Sequence, residues 1–528
     1  SDARTGGRFS QQVGEDPRAN AAVDVLRANA QITSTGFSTP AELLAVESGK
    51  IADVAWYRDD FAGGTTLEEA ASILGSGPPA PQGLELPEDA HGLSLWLQPA
   101  GIDSGANLWA RLRDARGRFF DTWIANMDLQ GWTKIKADLT PVVAAGRRFN
   151  NQARRMPMTP PLSLHAFQIT NRFGTFGVDD LGAIFIRDLE AVTPQGAVPL
   201  AGFQSSDGWS VIEDFSRPGL YALETSESAG GGRFAQSTRF SWASGGVGLR
   251  GIMPGDPEDP IPALVNQEFL DIAGASVGED VILGLSTYSI MVNVVGVADY
   301  FPTLDPGEKP FAVVDLDSFE AVSNLHSPVP LAGANEVWID IAAADGVSAS
   351  SGQVTEIMKN LGVRVRDVYD REAMVAARVD QPLVNAGWGA LLVLLFLAVA
   401  LASASGVMLF SFLDTRERQT EFALLRTLGS SGRQLRAVVW FNLFLIVACG
   451  VGLGTWVGRL IGSSILPLME VAEEGARVTP PMAFTTDWSS LLISYAVLAV
   501  VTVGTVVWLA WLSAKIQVQQ VLRMGDAA

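Results

Sequence analysis

Ala390–Phe412 reads ALLVLLFLAVALASASGVMLFSF, 23 residues without an ionisable side chain. As a helix it is long enough to cross a bilayer core of about 30 Å with every backbone group paired internally. The next stretch is different in kind. Asp414-Thr-Arg-Glu-Arg-Gln-Thr-Glu-Phe-Ala-Leu-Leu-Arg-Thr-Leu-Gly429 is charged, with Phe422, Leu425 and Leu428 three apart and Leu424 four before Leu428. That spacing gives a short helix one apolar stripe. Gly429 is a natural helix stop, and Ser431-Gly-Arg-Gln434 has the spacing of a capping box that starts another helix. A second apolar run begins at Ala437. The order is membrane helix, short amphipathic helix, membrane helix.

Working outward, three spans are expected at about 390–412, 437–468 and 491–512. The second is longer than a crossing requires, so its outer end should tilt or leave the hydrocarbon. It carries Gly450, Gly454, Gly458 and Gly462, a glycine every fourth residue, which leaves a smooth strip where another helix can approach closely. Arg459 lies near its outer end and is expected to snorkel. The segment 414–436 holds Arg416, Arg418, Arg426, Arg433 and Arg436, whereas 469–490 has one arginine against Glu470, Glu473, Glu474 and Asp487. Positive loops stay in the cytoplasm. Residues 414–436 and the C-terminus are therefore expected inside and residues 1–385 outside. A large exported N-terminal region needs an upstream signal or span, so the sequence reads as the C-terminal part of a longer polypeptide.

Charge separates the same two regions. Of 37 Lys/Arg and 57 Asp/Glu, 9 and 8 lie after residue 385, which leaves 28 and 49 before it. So acidic a region argues against nucleic acid or anionic lipid as its direct partner. The one cysteine, Cys449, lies in an apolar run and builds neither a disulfide nor a thiol metal site. His91, His165 and His326 are scattered, and no Gly-x-x-x-x-Gly-Lys-Ser/Thr loop occurs. No catalytic constellation, metal set or cofactor site is legible, and the chain is read as non-enzymatic.

Residues 1–50 read as a polar linker or remnant of an upstream region, with a short helix over Asn20–Ala30. Residues 51–196 read as all-β, from Leu93–Leu97, Asn107–Leu112, Phe119–Ile124, Leu164–Ile169 and Ala183–Ile186. Their alternation suits a β-sandwich. Trp96, Trp109, Trp123 and Trp132 are expected in its core, and Asp179-Asp180 in a solvated turn. Residues 197–385 read as α+β, with 197–250 as an added sheet or insertion edge. Gly278-Glu279-Asp280 forms a tight turn, Glu336–Asp340 a strand and Val354–Leu361 a helix.

Three resemblances rest on these residues. Gly131–Leu139, Pro160-Pro161 and Gly177–Ile186 are arranged as in a carbohydrate-binding-module-like jelly roll. Pro262–Leu270, Gly274–Leu283 and Ile290–Ala298 resemble the periplasmic core domain of MacB/FtsX-type permeases. Arg416–Gly429, continued through Gln434, resembles the signature of FtsX/MacB-type ABC transporter permeases, and Gln520–Gly525 resembles the family's ending. The resemblance implies a multidomain membrane protein: a jelly-roll-like β-sandwich, a MacB-like α+β extracytoplasmic domain, then an FtsX-like three-span domain over 386–528. It implies a non-catalytic permease subunit in a bacterial plasma membrane, moved by a separate cytosolic ATPase and paired with a second permease protomer or half. The exported partner would be a protein, lipid or glycan. Arg416, Glu417, Arg418, Glu421, Phe422, Leu425, Arg426, Leu428 and Gly429 become the ATPase-coupling residues, and Gly450, Gly454, Gly458 and Gly462 the helix-packing residues. The alternative is a membrane-anchored glycan-binding or adhesion protein.

Overall fold

The computed structural model describes residues 9–34, 37–77, 81–102, 105–139, 158–171, 181–227, 234–244, 249–257, 259–331, 333–341, 351–360, 365–379, 382–417, 431–469, 480, 486–504 and 507. The chain divides into two compact units, Ser1–Tyr369 and Asp370–Ala528.

The first unit contains a mixed sheet and a sandwich. The mixed sheet begins with β1 (Ala19–Ser34) and β2 (Phe37–Val46), which pair antiparallel from Val25↔Val46 to Ser34↔Phe37. It is completed much later by β15 (Ile261–Val265), β16 (Asp280–Gly284), β17 (Ser289–Val297), β18 (Phe311–Asp315) and β19 (Glu336–Ile341). The order is β16-β17-β15-β18-β2-β1-β19, and the far end of β1 also pairs with β16, so the sheet curls on itself. Both faces are covered. On one lie α3 (Gln267–Ala273) and α4 (Leu316–His326), through Phe269, Leu316, Phe319 and Val322. On the other lies α2 (Leu67–Leu74), through Leu67, Ala70, Ala71 and Leu74.

Residues 1–50 are thus no linker, and Asn20–Ala30 is not a helix. The window looks helical because alanine and leucine favour helices, but its burial has a period of two. Val23 and Val25 enter one core, and Leu26, Ala30 and Ile32 the other. Asp24 is buried within the strand, where the Ser10 hydroxyl donates to it at 2.9 Å. Nor are residues 51–196 all-β. Thr66 and Glu69 form a reciprocal capping box that starts α2.

The sandwich is inserted between α2 and β15. One sheet contains β4 (Gly92–Ala100), β7 (Thr133–Asp138), β9 (Gly182–Thr193), β10 (Gly196–Ala201), β12 (Tyr221–Glu227) and β13 (Gln236–Trp242). The other contains β3 (Leu84–Glu85), β5 (Ala106–Arg113), β6 (Phe119–Asn126), β8 (Ser163–Asn171), β11 (Trp209–Val211) and β14 (Arg250–Pro254). The five runs singled out in the sequence all lie within these strands. Residues 197–254, expected as part of the α+β region, instead complete the sandwich, because β13 pairs with β9 and β14 with β8.

The sandwich has its own core, with Leu93, Leu95, Leu108, Leu112, Phe167, Ile186 and Phe240 at its centre. None of Trp96, Trp109, Trp123 and Trp132 belongs to it, which corrects the expectation. In β4 and β5 the leucines take the inward positions, so Trp96 and Trp109 point outward; Trp123, directly opposite Trp109, is 47% exposed.

In the second unit, Pro382–Glu417 and Gly432–Met469 are continuous helices of 36 and 38 residues. Their segments Ala390–Phe410 and Trp440–Ile465 are long and apolar enough to span a membrane, and Trp488–Gly504 is a shorter apolar helix. At 1.5 Å per residue the second helix is about 57 Å long, roughly twice a hydrocarbon core.

Candidate functional site

The candidate coupling segment begins within the described end of the first long helix, at Arg416 and Glu417. These are the last described residues of that helix, and Glu417 is exposed. Arg418, Glu421, Phe422, Leu425, Arg426, Leu428 and Gly429 lie outside the described residues. The far boundary is well defined. Ser431 precedes the second helix, and its hydroxyl accepts from the Gln434 amide at 3.4 Å. The Gln434 side-chain oxygen accepts from the Ser431 amide at 2.9 Å. Two amide donors at a helix start are satisfied reciprocally, so the entry of the second helix is set by local chemistry.

The second and third helices meet side by side. The hydroxyls of Thr455 and Tyr495 are hydrogen-bonded, and the Arg459 guanidinium lies 5.8 Å from the centre of the Trp488 ring. Going up one helix from 455 to 459 means going down the other from 495 to 488, so the two run antiparallel. Arg459 thus lies over an indole, whose face attracts a cation. The third helix starts at Asp487, whose carboxylate accepts from the Ser489 and Ser490 hydroxyls at 2.5 Å and from their amides at 3.0 and 3.3 Å. Those donors hold its pKa down at about 2.

The glycine strip has a definable direction. At 100° per residue, Gly450 and Gly454 project about 140° and 100° away from Thr455, hence away from the third helix. A Cβ added at Gly450, Gly454 or Gly458 would meet nothing within 4 Å. Gly462 turns toward the Thr455 side, because a four-residue step drifts by about 40° each time.

The first unit holds two outward aromatic groups. On the sheet containing β4, the rings of Trp96 and Trp132 meet Phe234 edge-on at 5.7 and 4.9 Å, with Arg187 5.3 Å from the Phe234 centroid. On the other sheet, Trp109 donates to Thr170 at 2.8 Å and Trp123 to Asn107 at 3.2 Å. Of the histidines, His165 is buried beside the Ser163 hydroxyl at 3.0 Å; burial, helped by Arg113, lowers its pKa to about 4. His326 packs against Phe215. Among the described residues no group of three or more His, Cys, Asp or Glu side chains is placed to hold a metal ion.

Sequence reasoning missed Arg111. Its side chain is 0% exposed, bonded to Asp121 and to backbone carbonyls at the end of α4. The one available signal was its outward parity between Leu108 and Leu112, which marks a covered outer face only once the covering element is known.

Residues 393–518 match the family model described as FtsX-like permease C-terminal. No curated protein matches the chain. The matched stretch contains most of the first membrane-length helix, the charged segment after it, and the second and third apolar helices.

Proposed function

We propose that this chain is the transmembrane permease subunit of an ABC transporter of the FtsX/MacB type. The observation that carries this reading is the family match over 393–518, which covers the charged segment together with the apolar helices on both sides of it. In this reading a separate cytosolic ATPase hydrolyses the nucleotide. It grips residues 416–429, with Phe422, Leu425 and Leu428 in an apolar groove and Glu421 and Arg426 at its rim. Closure of the motor displaces the segment. Helices of 36 and 38 residues, the second capped at its start, carry the displacement as stiff rods, which a flexible loop could not do. Residues 1–385 lie outside the cytoplasm, where the MacB-like mixed sheet and its jelly-roll-like insertion meet an exported protein, lipid or glycan. The membrane is a bacterial plasma membrane. Of the strip Gly450, Gly454, Gly458 and Gly462, the part facing away from the third helix, Gly450 and Gly454, receives a helix from a second permease protomer or half.

The test is co-purification of a cytosolic ABC-type ATPase with this chain from its native membrane. The charge reversals Glu421→Arg and Arg426→Glu should each reduce recovery at least tenfold, and the double reversal should leave it low. Unchanged recovery in both single variants, with the chain still membrane-inserted, would sink the assignment of the coupling segment.

A second reading is a membrane-anchored glycan-binding or adhesion protein. The outward cluster of Trp96, Trp132 and Phe234 with Arg187 favours it. It leaves the two long helices around a charged segment without a purpose, and ATPase co-purification separates the two readings.

A further inference from the structure

The sandwich and the mixed sheet are two bodies with separate hydrophobic cores. The chain leaves one for the other after α2 and returns at β15. Two connections alone would let the sandwich swing. A third element prevents it.

That element is α4. Its start belongs to the mixed sheet. Asp315 caps it by accepting from the Ser318 amide at 3.0 Å, and the Ser48 hydroxyl donates to the same carboxylate at 2.6 Å. Leu316, Phe319 and Val322 are buried in the mixed-sheet core. Its end belongs to the sandwich. Leu325 is buried among Ala166, Ile212, Leu249 and Met253, all from the outer side of the sheet containing β5 and β8. The last carbonyls of a helix have no partners within the helix and usually turn to water. Here the sandwich supplies the donors. Arg111 Nη1 donates to the carbonyls of Asn324 and of Ser327, the latter at 2.9 Å, and Gln168 Nε2 donates to the Leu325 carbonyl at 2.9 Å.

The charge on Arg111 is balanced by Asp121, which accepts from Nε at 2.7 Å and from Nη2 at 3.0 Å. A guanidinium held in this forked manner has one orientation. The negative end of the helix dipole favours a cation at the same place. A buried pair of this kind contributes little net stability against an apolar replacement. What it adds here is direction: an apolar contact can slide, whereas carbonyls bonded to a fixed fork cannot.

We infer that α4 is a strut joining the two bodies into one rigid piece, with Arg111 as the positioning residue of the joint. Displacement of the mixed sheet then moves the sandwich as a lever, and the sheet bearing Trp96 and Trp132 travels with it. The joint itself does not rest on the permease reading; only the use made of it does.

The test uses the full chain with Cys449→Ala and spin labels at Ala222→Cys on the sandwich and Glu268→Cys on the mixed-sheet body, both exposed positions. Double electron–electron resonance should give one narrow distance distribution. Arg111→Ala combined with Gln168→Ala should widen it at least twofold, while Arg111→Lys should fall between. Hydrogen exchange in β4 and β9 should not change, because the sandwich core is intact. If the alanine pair unfolds the sandwich, Arg111→Met with Asp121→Leu keeps the site packed and decides the matter by the same widening. A parent distribution that is already broad, or an unchanged width in a folded variant, overturns the inference. ATPase co-purification from these variants should match the parent, so failure of the coupling assignment would be read separately.

Discussion

The two units use the same apolar residue types in opposite ways. Leu93, Leu95 and Leu97 of the sandwich are 0% exposed, whereas Leu391, Leu392 and Leu394 of the first long helix are 55%, 60% and 67% exposed. In the sandwich every second residue of a strand points inward, and in the mixed sheet both faces are covered, so the chain removes its own apolar surface from water. In the second the apolar residues cover the helix all round, and no element among the described residues hides them. A surface of that kind is stable only in a solvent as apolar as itself. The contrast sets the apolar helices of the second unit apart from the water-facing strands of the first, and it predicts which unit tolerates loss of an apolar side chain.

The largest expected effect tests that contrast directly. Phe167→Ala, in the middle of the sandwich core, should cost about 3–5 kcal/mol by leaving a cavity. Leu394→Ala should change the stability of the lipid-inserted chain by less than about 1 kcal/mol, since lipid fills the gap and no protein partner is lost. Denaturant titration of the reconstituted chain, with hydrogen exchange in β8 and in the first long helix reporting the two units, would show it. Equal losses in the two variants would break the comparison.

A smaller effect concerns acid. His165 titrates at about 4 in the folded sandwich and near 6.5 when unfolded. Between those values the unfolded chain binds more protons than the folded one, so stability falls as pH drops from 6.5 to 4 and levels off below. The loss should be on the order of 1–3 kcal/mol. His165→Gln should remove most of this slope, read as the pH dependence of the sandwich midpoint; no histidine among the described residues of the second unit exists to produce one. An unchanged slope in the variant would show that the acid sensitivity comes from carboxylates instead.

The smallest effect sharpens the account of the second unit. Thr455→Val and Tyr495→Phe each remove one side of the bond between the second and third helices. Such bonds are worth about 0.6 kcal/mol on average in lipid. The double variant should therefore cost no more than either single one, by a double-mutant cycle on chain stability in bicelles.

Legibility tracked the range of the interactions. The strands at Leu93–Leu97 and Phe119–Ile124 could be read because alternation is local. So could the cap at Ser431, where a hydroxyl and an amide three residues away suffice. Asn20–Ala30 could not, because its partners are residues 336–340 on one side and 41–46 on the other, and only that pairing turns an alanine-rich window into a strand with neighbours on both sides. Trp96 and Trp109 were misplaced for a related reason: hydrophobicity alone does not say which parity of a strand faces inward. Arg111 looked like any surface arginine until α4, more than two hundred residues later, was seen to cover it.

The sequence by itself therefore determined two membrane-length helices, the cap that starts the second and most of the sandwich strands. Each depends on residues within one turn, one span or one strand, where length, charge and periodicity act directly. Only the tertiary structure decided that the sandwich is an insertion into a sheet begun near the N-terminus, and that α4 joins the two. Those features depend on pairings between distant segments. Their enthalpy is gained only after the intervening chain has been closed into a loop, and no local pattern records which loop closes.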